Sequence, residues 1–297
     1  MARFLFWSDL HCEFEPFEVP LPAEAPGAGS DAPARSDIDG ILIAGDTDVK
    51  GRHIDLAEEV WDIWRCPILM IDGNHEPYGA KRIQKLWALE DQRIAERRSK
   101  GVDVEILRGT SRTIGDTRII GATLWTDLQL YPDRAVGAER AVASTMNDYS
   151  RVRFFDERTG IYRKMLPGDT RAMHLQEKAR IFELLAQPFD GRTIVMTHHL
   201  PVKQMLNPKR REEADIISAA YASDLASEIE PFPVDAWICG HSHDAVEYLL
   251  SGQERDIRFL RNIRGYPGQG AGFEPLRILD SNAPRMANEP ETEDLMP

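Results

Sequence analysis

Short polar clusters rich in Asp, His and Asn follow five apolar segments of the chain, each at the point where a buried strand would end. Only His53 and His174, of the eight histidines, lie outside these clusters. Imidazole, carboxylate and amide donors without a thiolate suit Mn²⁺, Fe, Zn²⁺, Co²⁺ or Ni²⁺. The clusters are Asp9-Leu10-His11, Gly45-Asp46, Gly73-Asn74-His75, Thr197-His198-His199 and Gly240-His241-Ser242-His243.

The five clusters are expected to meet, because ligands in open α/β sheets gather beyond the carboxyl ends of the strands. Together they offer more donors than one ion needs, so two ions that share a carboxylate are the natural arrangement. Gly45, Gly73 and Gly240 lie where three of these strands must turn sharply. A residue without a Cβ lets the backbone pass close to a metal.

Hydrophobic periodicity predicts the elements that position these clusters. Strands alternate with helices along most of the chain, which predicts an α/β layered fold. A Gly115-Asp116 turn also predicts a hairpin between 112–114 and 118–120. The buried strands that the clusters follow are predicted at 4–7, 41–44, 67–71, 193–196 and 236–239. Helices are predicted over 55–64, 80–100, 135–146, 169–186 and 212–229. His174 is assigned to the polar face of the fourth helix.

Length and charge narrow the functional classes. We expect residues 1–280 of the 297 to form a single domain and the acidic residues 281–297 to form a disordered tail. The net charge of 36 − 49 = −13 argues against a large nucleic-acid partner, because an acidic surface repels phosphate backbones.

The sequence predicts a cytoplasmic protein. It shows no apolar stretch of membrane length and no cleavage site after its apolar start, and its three cysteines are scattered. The oligomeric state stays open.

The ordered set D-x-H, G-D, G-N-H-E, H-H and G-H-x-H resembles the calcineurin-like metallophosphoesterase family, and it spans Asp9 to His243. Each fragment alone is a weak signal, but the five in this order are specific. The segments 121–127 (GATLWTD) and 262–267 (NIRGYP) resemble a bacterial and phage branch of uncharacterised members. The resemblance implies a four-layer αββα sandwich of two mixed β-sheets flanked by helices.

The resemblance also implies a role for each matching residue. Asp46 would bridge two divalent ions, and His75 would protonate the leaving oxygen, so these two are the catalytic candidates. The first ion would be held by Asp9, His11 and His243, and the second by Asn74, His198 and His241. His75 would contact substrate, and Asn74 and His199 are further candidates for that contact. Independently of the resemblance, Arg264 is a candidate substrate contact because it lies in an irregular Gly-Tyr-Pro loop after a strand.

The reaction implied is hydrolysis of a small-molecule phosphate ester, either a diester or a monoester. A hydroxide that bridges the two metals would attack phosphorus, because two Lewis acids lower the pKa of a shared water. Mn²⁺ is the expected metal, with Fe, Zn²⁺, Co²⁺ and Ni²⁺ as alternatives. The enzyme class is therefore a metal-dependent phosphoric ester hydrolase, a phosphatase or phosphodiesterase.

Two other functions fit parts of the pattern. A protein can keep this fold as a non-catalytic scaffold for protein binding. A mononuclear zinc hydrolase would bind one ion per chain and would change little on His198→Ala.

Two residue assignments stay open. His198 is taken as the ligand because it comes first after the strand, which leaves His199 beside the ligands or facing substrate. Family members often carry a second Asp three residues after the Asp of G-D. Val49 occupies that position here and Asp48 lies only two residues on, so the sequence does not decide whether Asp48 orients His75.

Overall fold

A computed structural model describes residues 2–269 and 272–281. The predicted tail lies outside the described residues apart from Ser281. The strands are β1 (Arg3–Trp7), β2 (Gly40–Ala44), β3 (Ile68–Ile71), β4 (Val104–Ile106), β5 (Thr110–Ile114), β6 (Thr117–Ala122), β7 (Arg153–Asp156), β8 (Ile161–Lys164), β9 (Arg192–Thr197), β10 (Ala236–Ile238), β11 (Tyr248–Leu250), β12 (Ile257–Leu260) and β13 (Ile278–Asp280). The helices are α1 (His53–Trp64), α2 (Ile83–Ser99), α3 (Ala135–Thr145), α4 (Asp148–Arg151), α5 (Pro167–Leu185), α6 (Pro208–Glu212) and α7 (Ala226–Ile229).

The strands form two large mixed sheets and a separate hairpin of β7 and β8. The first sheet has the order β13-β1-β2-β3-β4, and only β13 is antiparallel to its neighbour. The second has the order β11-β12-β10-β9-β6-β5, with a parallel centre and antiparallel edges. The predicted hairpin is confirmed: Ile114 pairs with Thr117 across the Gly115-Asp116 turn.

Alternate side chains of the central strands fill different cores, which makes four layers. Phe4 and Phe6 of β1 pack in a core that also holds Ile194 and Met196 of β9, so the two sheets lie face to face. Their neighbours Leu5 and Trp7 point the other way, into a core shared with α1 and α2. The outer face of the second sheet packs against α3 and α5. The predicted four-layer fold is thus confirmed.

The predicted helix over 212–229 is wrong. Residues 208–229 instead form α6, a 3₁₀ turn (Ile216–Ala220) and α7. Ala214 adopts a left-handed backbone with φ 46°, which ends the helical path. The Asp215 side chain then accepts a 3.0 Å hydrogen bond from the Ile217 amide and starts the 3₁₀ turn.

His174 was also placed wrongly. It is fully buried on α5, where its Nδ1 bonds the carbonyl oxygen of Trp125. The hairpin of β7 and β8 was missed, since β7 is half-buried, β8 is mostly exposed and neither four-residue strand shows a clear alternation. Among the helices of the described residues, none combines the length and apolarity that crossing a bilayer requires.

Candidate metal centre

All five polar clusters meet at the carboxyl ends of β1, β2, β3, β9 and β10. Backbone hydrogen bonds tie the clusters together: the Asp9 amide donates to the Gly45 carbonyl at 3.0 Å, and the Gly240 amide donates to the His198 carbonyl at 3.0 Å. Five non-glycine residues here have φ between 47° and 71°, a backbone region that costs free energy and concentrates at functional sites. They are Asp9, His11, Asp46, His241 and His243.

Two glycines are required by close approach. A Cβ at Gly73 would lie 2.2 Å from Oδ1 of Asp46, and one at Gly45 would lie 2.7 Å from Nδ1 of His198. Gly45 also has φ 84°, which disfavours any side chain. These glycines let the chain pass directly behind the carboxylate and the imidazole.

A first group of donors consists of Asp9, His11 and His243. Nε2 of His243 lies 3.2 Å from Oδ1 of Asp9 and 3.1 Å from Nε2 of His11. These ligand atoms all lie within 4.8 Å of one another, as the donors to one ion would.

A second group consists of Asp46, His198 and His241. Nε2 of His198 lies 3.3 Å from Oδ1 of Asp46 and 3.1 Å from Oδ1 of Asn74, which adds an amide oxygen to this group. Nε2 of His241 is buried and has no hydrogen-bond partner in the described part of the chain. A buried nitrogen without a partner fits a metal ligand, because buried polar atoms are nearly always satisfied.

Asp46 lies between the two groups. Its Oδ1 faces His198, while its Oδ2 lies 3.9 Å from Nε2 of His11. One carboxylate is therefore within reach of ligands from both groups.

Three of the histidines have Nδ1 engaged on the side away from the centre. His11 contacts Oε1 of Glu13 at 3.1 Å, His198 contacts the Ala44 carbonyl oxygen at 2.9 Å, and His243 contacts Oε1 of Gln269 at 2.7 Å. Because each partner accepts the Nδ1 proton, Nε2 keeps a lone pair directed into the centre. Such outer partners are the usual support of metal-binding histidines.

Asn74 is oriented by residues that the sequence analysis did not identify. Its Nδ2 donates to Oδ1 of Asp148 at 2.8 Å and to the Tyr78 hydroxyl at 3.1 Å. Its Oδ1 is thereby turned toward His198. Asp148 and Tyr78 also hydrogen-bond each other, which holds the amide in one orientation.

The centre is electrostatically suited to cations. Burial would lower the pKa of His198, yet the Asp46 carboxylate raises it to about 10. Burial would likewise raise the pKa of Asp46, but His198 and His75 hold it well below its usual range. The carboxylates thus stay ionised and draw positive charge onto the ring, and a bound cation would supply that charge instead of a proton.

His75 is oriented by Glu13 rather than by Asp48. Its Nδ1 lies 2.8 Å from Oε1 of Glu13, and its Nε2 lies 3.2 Å from the Tyr266 hydroxyl. Asp48 instead accepts hydrogen bonds from Arg52 at 2.5 and 3.0 Å. Burial would lower the pKa of His75, but Asp46 and Glu13 raise it.

Two of the predicted substrate contacts lie elsewhere. Arg264 points away from the cleft and donates to the carbonyls of Leu10 and Glu15 at 2.8 Å, since the loop at 10–16 uses its donors. His199 is buried, with its ring centroid 4.2 Å from that of His241 and 5.0 Å from that of Trp125. It lies behind His241 rather than in the cleft.

A cleft of about 410 Å³ opens onto the centre. Arg210 is the one arginine or lysine among its described lining residues, and its guanidinium lies 4.9 Å from the ring centroid of Tyr221. The sequence analysis did not identify either residue as functional. Asp46, Asn74, His75, His241 and His243 lie at the base of the cleft.

The comparisons with known proteins agree with this geometry. The family model described as calcineurin-like phosphoesterase matches residues 2–245. The chain belongs to the calcineurin-like phosphoesterase family. It is therefore a metal-dependent phosphoester hydrolase, as the sequence resemblance predicted.

Two individual proteins share its architecture or sequence. This calcineurin-like phosphoesterase is 22% identical over 218 residues to uncharacterized protein L509 of Acanthamoeba polyphaga mimivirus. The matched region covers 72% of this chain and 73% of that protein. The crystal structure of Phosphopantetheinyl Hydrolase (PptH) from Mycobacterium tuberculosis superposes with a TM-score of 0.62 at 16% identity, covering 90% of this chain and 91% of that one. This structural likeness concerns the fold.

Proposed function

We propose that the centre holds two divalent metal ions and that the protein hydrolyses a small-molecule phosphate ester. The observation that carries the proposal is the position of Asp46, which faces His11 with one carboxylate oxygen and His198 with the other. A shared carboxylate between two donor groups is the arrangement of two-metal hydrolases. Two ions there supply Lewis acidity, which activates water and neutralises charge on the phosphate oxygens.

The residues of the chain divide the remaining work. Asp9, His11 and His243 hold one ion, Asn74, His198 and His241 hold the other, and Asp46 contacts both. His75 lies at the base of the cleft with Nδ1 on Glu13, so its Nε2 faces the position of a leaving group. A carboxylate-supported imidazole there donates a proton to the leaving oxygen.

Arg210 supplies a fixed positive charge on the cleft wall, although Asp215 pairs with it at 3.1 Å. We infer that it contacts a nonbridging oxygen or a second anionic group of the substrate. A neighbouring cavity of about 430 Å³ meets the cleft at His75 and Tyr78 and is lined by Lys50, Arg151 and Arg153. Its basic lining favours an ester whose leaving group carries further negative charge.

The experiment is a turnover screen on protein stripped of metal and reloaded separately with Mn²⁺, Fe²⁺, Zn²⁺, Co²⁺ or Ni²⁺. Substrates are p-nitrophenyl phosphate, bis-p-nitrophenyl phosphate, cyclic nucleotides and, because of the likeness to a phosphopantetheinyl hydrolase, a phosphopantetheinyl ester. We expect turnover with at least one ester, highest with Mn²⁺, that is lost on chelation and restored by metal.

Bound-metal analysis separates the alternatives. Full metal loading without turnover of any ester would favour the scaffold. One ion in the centre and little effect of His198→Ala would favour a mononuclear hydrolase.

A further inference from the structure

A second cluster of metal-ligating side chains lies outside the centre. His53 is the first residue of α1, Asp72 follows β3, and Glu90 lies within α2. All three are buried, with 1%, 5% and 0% of their surfaces exposed. Three residues far apart in sequence are thus brought to one sealed position.

Each side chain of the cluster directs an unsatisfied atom toward the others. Nε2 of His53 lies 3.4 Å from Oε1 of Glu90 and 3.9 Å from Oδ1 of Asp72. These three atoms are buried, and none has a hydrogen-bond partner among the described residues. Because buried polar atoms are nearly always satisfied, three unsatisfied atoms at one point indicate a shared partner.

Arg108 orients both carboxylates from the outside. Its Nε donates to Oδ2 of Asp72 at 3.1 Å, and its Nη2 donates to Oε2 of Glu90. The outer oxygens are therefore occupied, while Oδ1 and Oε1 are turned toward His53. Outer hydrogen bonds that fix the inner oxygens are typical of carboxylates that bind a metal.

We propose that His53, Asp72 and Glu90 bind a third divalent transition-metal ion, separate from the two-metal centre. Their ligand atoms all lie within 4.8 Å of one another. The 3.4 and 3.9 Å separations resemble the roughly 3.4 Å between neighbouring ligands of a tetrahedral ion with bonds of about 2.1 Å. One imidazole and two carboxylates suit Zn²⁺, Mn²⁺ or Fe²⁺.

The charge of the cluster also favours a cation. When ionised, Asp72 and Glu90 carry two buried negative charges, and the Arg108 guanidinium that pairs with both also pairs with Asp91. A divalent ion would compensate the remaining charge.

The third ion would have a structural role, because the three side chains that would bind it are buried. It would join α1 and α2 to the segment that runs from Asp72 to His75. That segment carries Asn74 and His75 into the two-metal centre, so the ion would brace it from behind.

Metal content per chain tests the proposal. Wild type, Glu90→Gln and His53→Ala are stripped of metal, reloaded with Zn²⁺, desalted and analysed for bound zinc, and the series is repeated with Mn²⁺. We expect each variant to hold one ion fewer than wild type. Glu177→Gln is the matched control, because Glu177 also has a buried carboxyl oxygen without a partner but belongs to no ligand cluster of the described residues. It should keep the wild-type count.

The readout is independent of the two-metal centre. Asp46→Asn should lose metal from the centre and retain the ion at His53, so failure of one site leaves the other measurable. If the variants do not fold, the test is anomalous diffraction from zinc-soaked crystals of the wild-type protein. We expect a peak about 2.0–2.2 Å from each of the three ligand atoms. The proposal would be overturned if folded Glu90→Gln held as many zinc ions and as many manganese ions per chain as wild type, or if the diffraction map showed no peak at that position.

Discussion

The segment from Asp72 to His75 contributes to two clusters of very different character. On the cleft side, Asn74 and His75 lie beside five residues whose backbone is left-handed. Three histidines there, His11, His198 and His243, have Nδ1 hydrogen-bonded to a partner outside the centre. Toward the helices, Asp72 joins His53 and Glu90, whose backbones are ordinary helix. Similar side chains thus occur in a strained, open site and in an unstrained, sealed one.

The difference lies in access and in charge. The centre opens into the cleft, and Arg210, the one arginine among the described residues that line this cleft, lies on its wall. In the sealed cluster, Arg108 contacts both carboxylates directly. A reacting centre needs room for substrate and ions that keep net positive charge, whereas a structural site needs only satisfied ligands. Backbone strain is present where the chain must direct many ligands to one open point.

The largest effect is expected for Asp46→Asn. Removing the charge of the shared carboxylate should weaken metal binding and lower kcat/KM by about 10³-fold, since the metals supply several kcal/mol of transition-state stabilisation. Steady-state kinetics and metal analysis measure it. Asp62→Asn, an exposed carboxylate on α1 paired with Arg65, is the control and should behave as wild type. If Asp46→Asn lowered kcat/KM only slightly, the open centre would not differ from the sealed cluster in being needed for the reaction.

Glu13→Gln should lower kcat by about 10–100-fold, the usual range for a partner that orients metal ligands. Glu13 contacts both His11 and His75, so its loss frees two rings at once. The control is Glu15→Gln, a neighbouring exposed acid that pairs with Arg264. Equal activity of the two variants would show that Glu13 is dispensable.

Arg210→Ala should raise KM by about tenfold and leave kcat within a few-fold, because a hydrogen bond to a charged group contributes about 1.5–3 kcal/mol. The readout is saturation kinetics with the best ester of the screen. Lys209→Ala changes the adjacent, 79% exposed cation and should have no effect. An unchanged KM for Arg210→Ala would assign substrate binding to other residues.

The last prediction concerns stability rather than activity, at the buried carboxyl of Glu177 on α5, outside both clusters. Burial raises its pKa to about 8, above the ordinary 4.5. The protonated form favours folding, so its contribution is complete below pH 4.5 and is lost as pH rises through 8. The free energy of unfolding of Glu177→Gln should therefore rise relative to wild type by up to about 1.4 kcal/mol per pH unit between these limits. Denaturant unfolding at pH 5, 7 and 9 measures it, and a constant difference would contradict the shifted pKa.

The sequence predicted the strands and the cluster after each of them because both are local. Apolar runs such as 41–44 are buried on both faces, and polar residues end each run, with a glycine beside them in three of the five. The same locality explains why the helices α1, α2, α3 and α5 were predicted within a few residues. It also explains the error over 212–229, where the left-handed Ala214 interrupts an otherwise helical pattern.

What a side chain meets across the fold was decided only by the tertiary structure. Glu13 reaches His75 across 62 positions, and Asp148 reaches Asn74 across 74. Arg264 was assigned to substrate, yet it binds a loop 249 positions away.

Neighbours in sequence determine whether a residue ends a strand or starts a helix, so a linear pattern carries that information. Which atoms form a hydrogen bond or bind a metal ion depends instead on their distance and direction in the folded structure. The chain alone thus determined which residues stand at the strand ends. Packing of the two sheets decided which atoms support them and placed His53, Asp72 and Glu90 together.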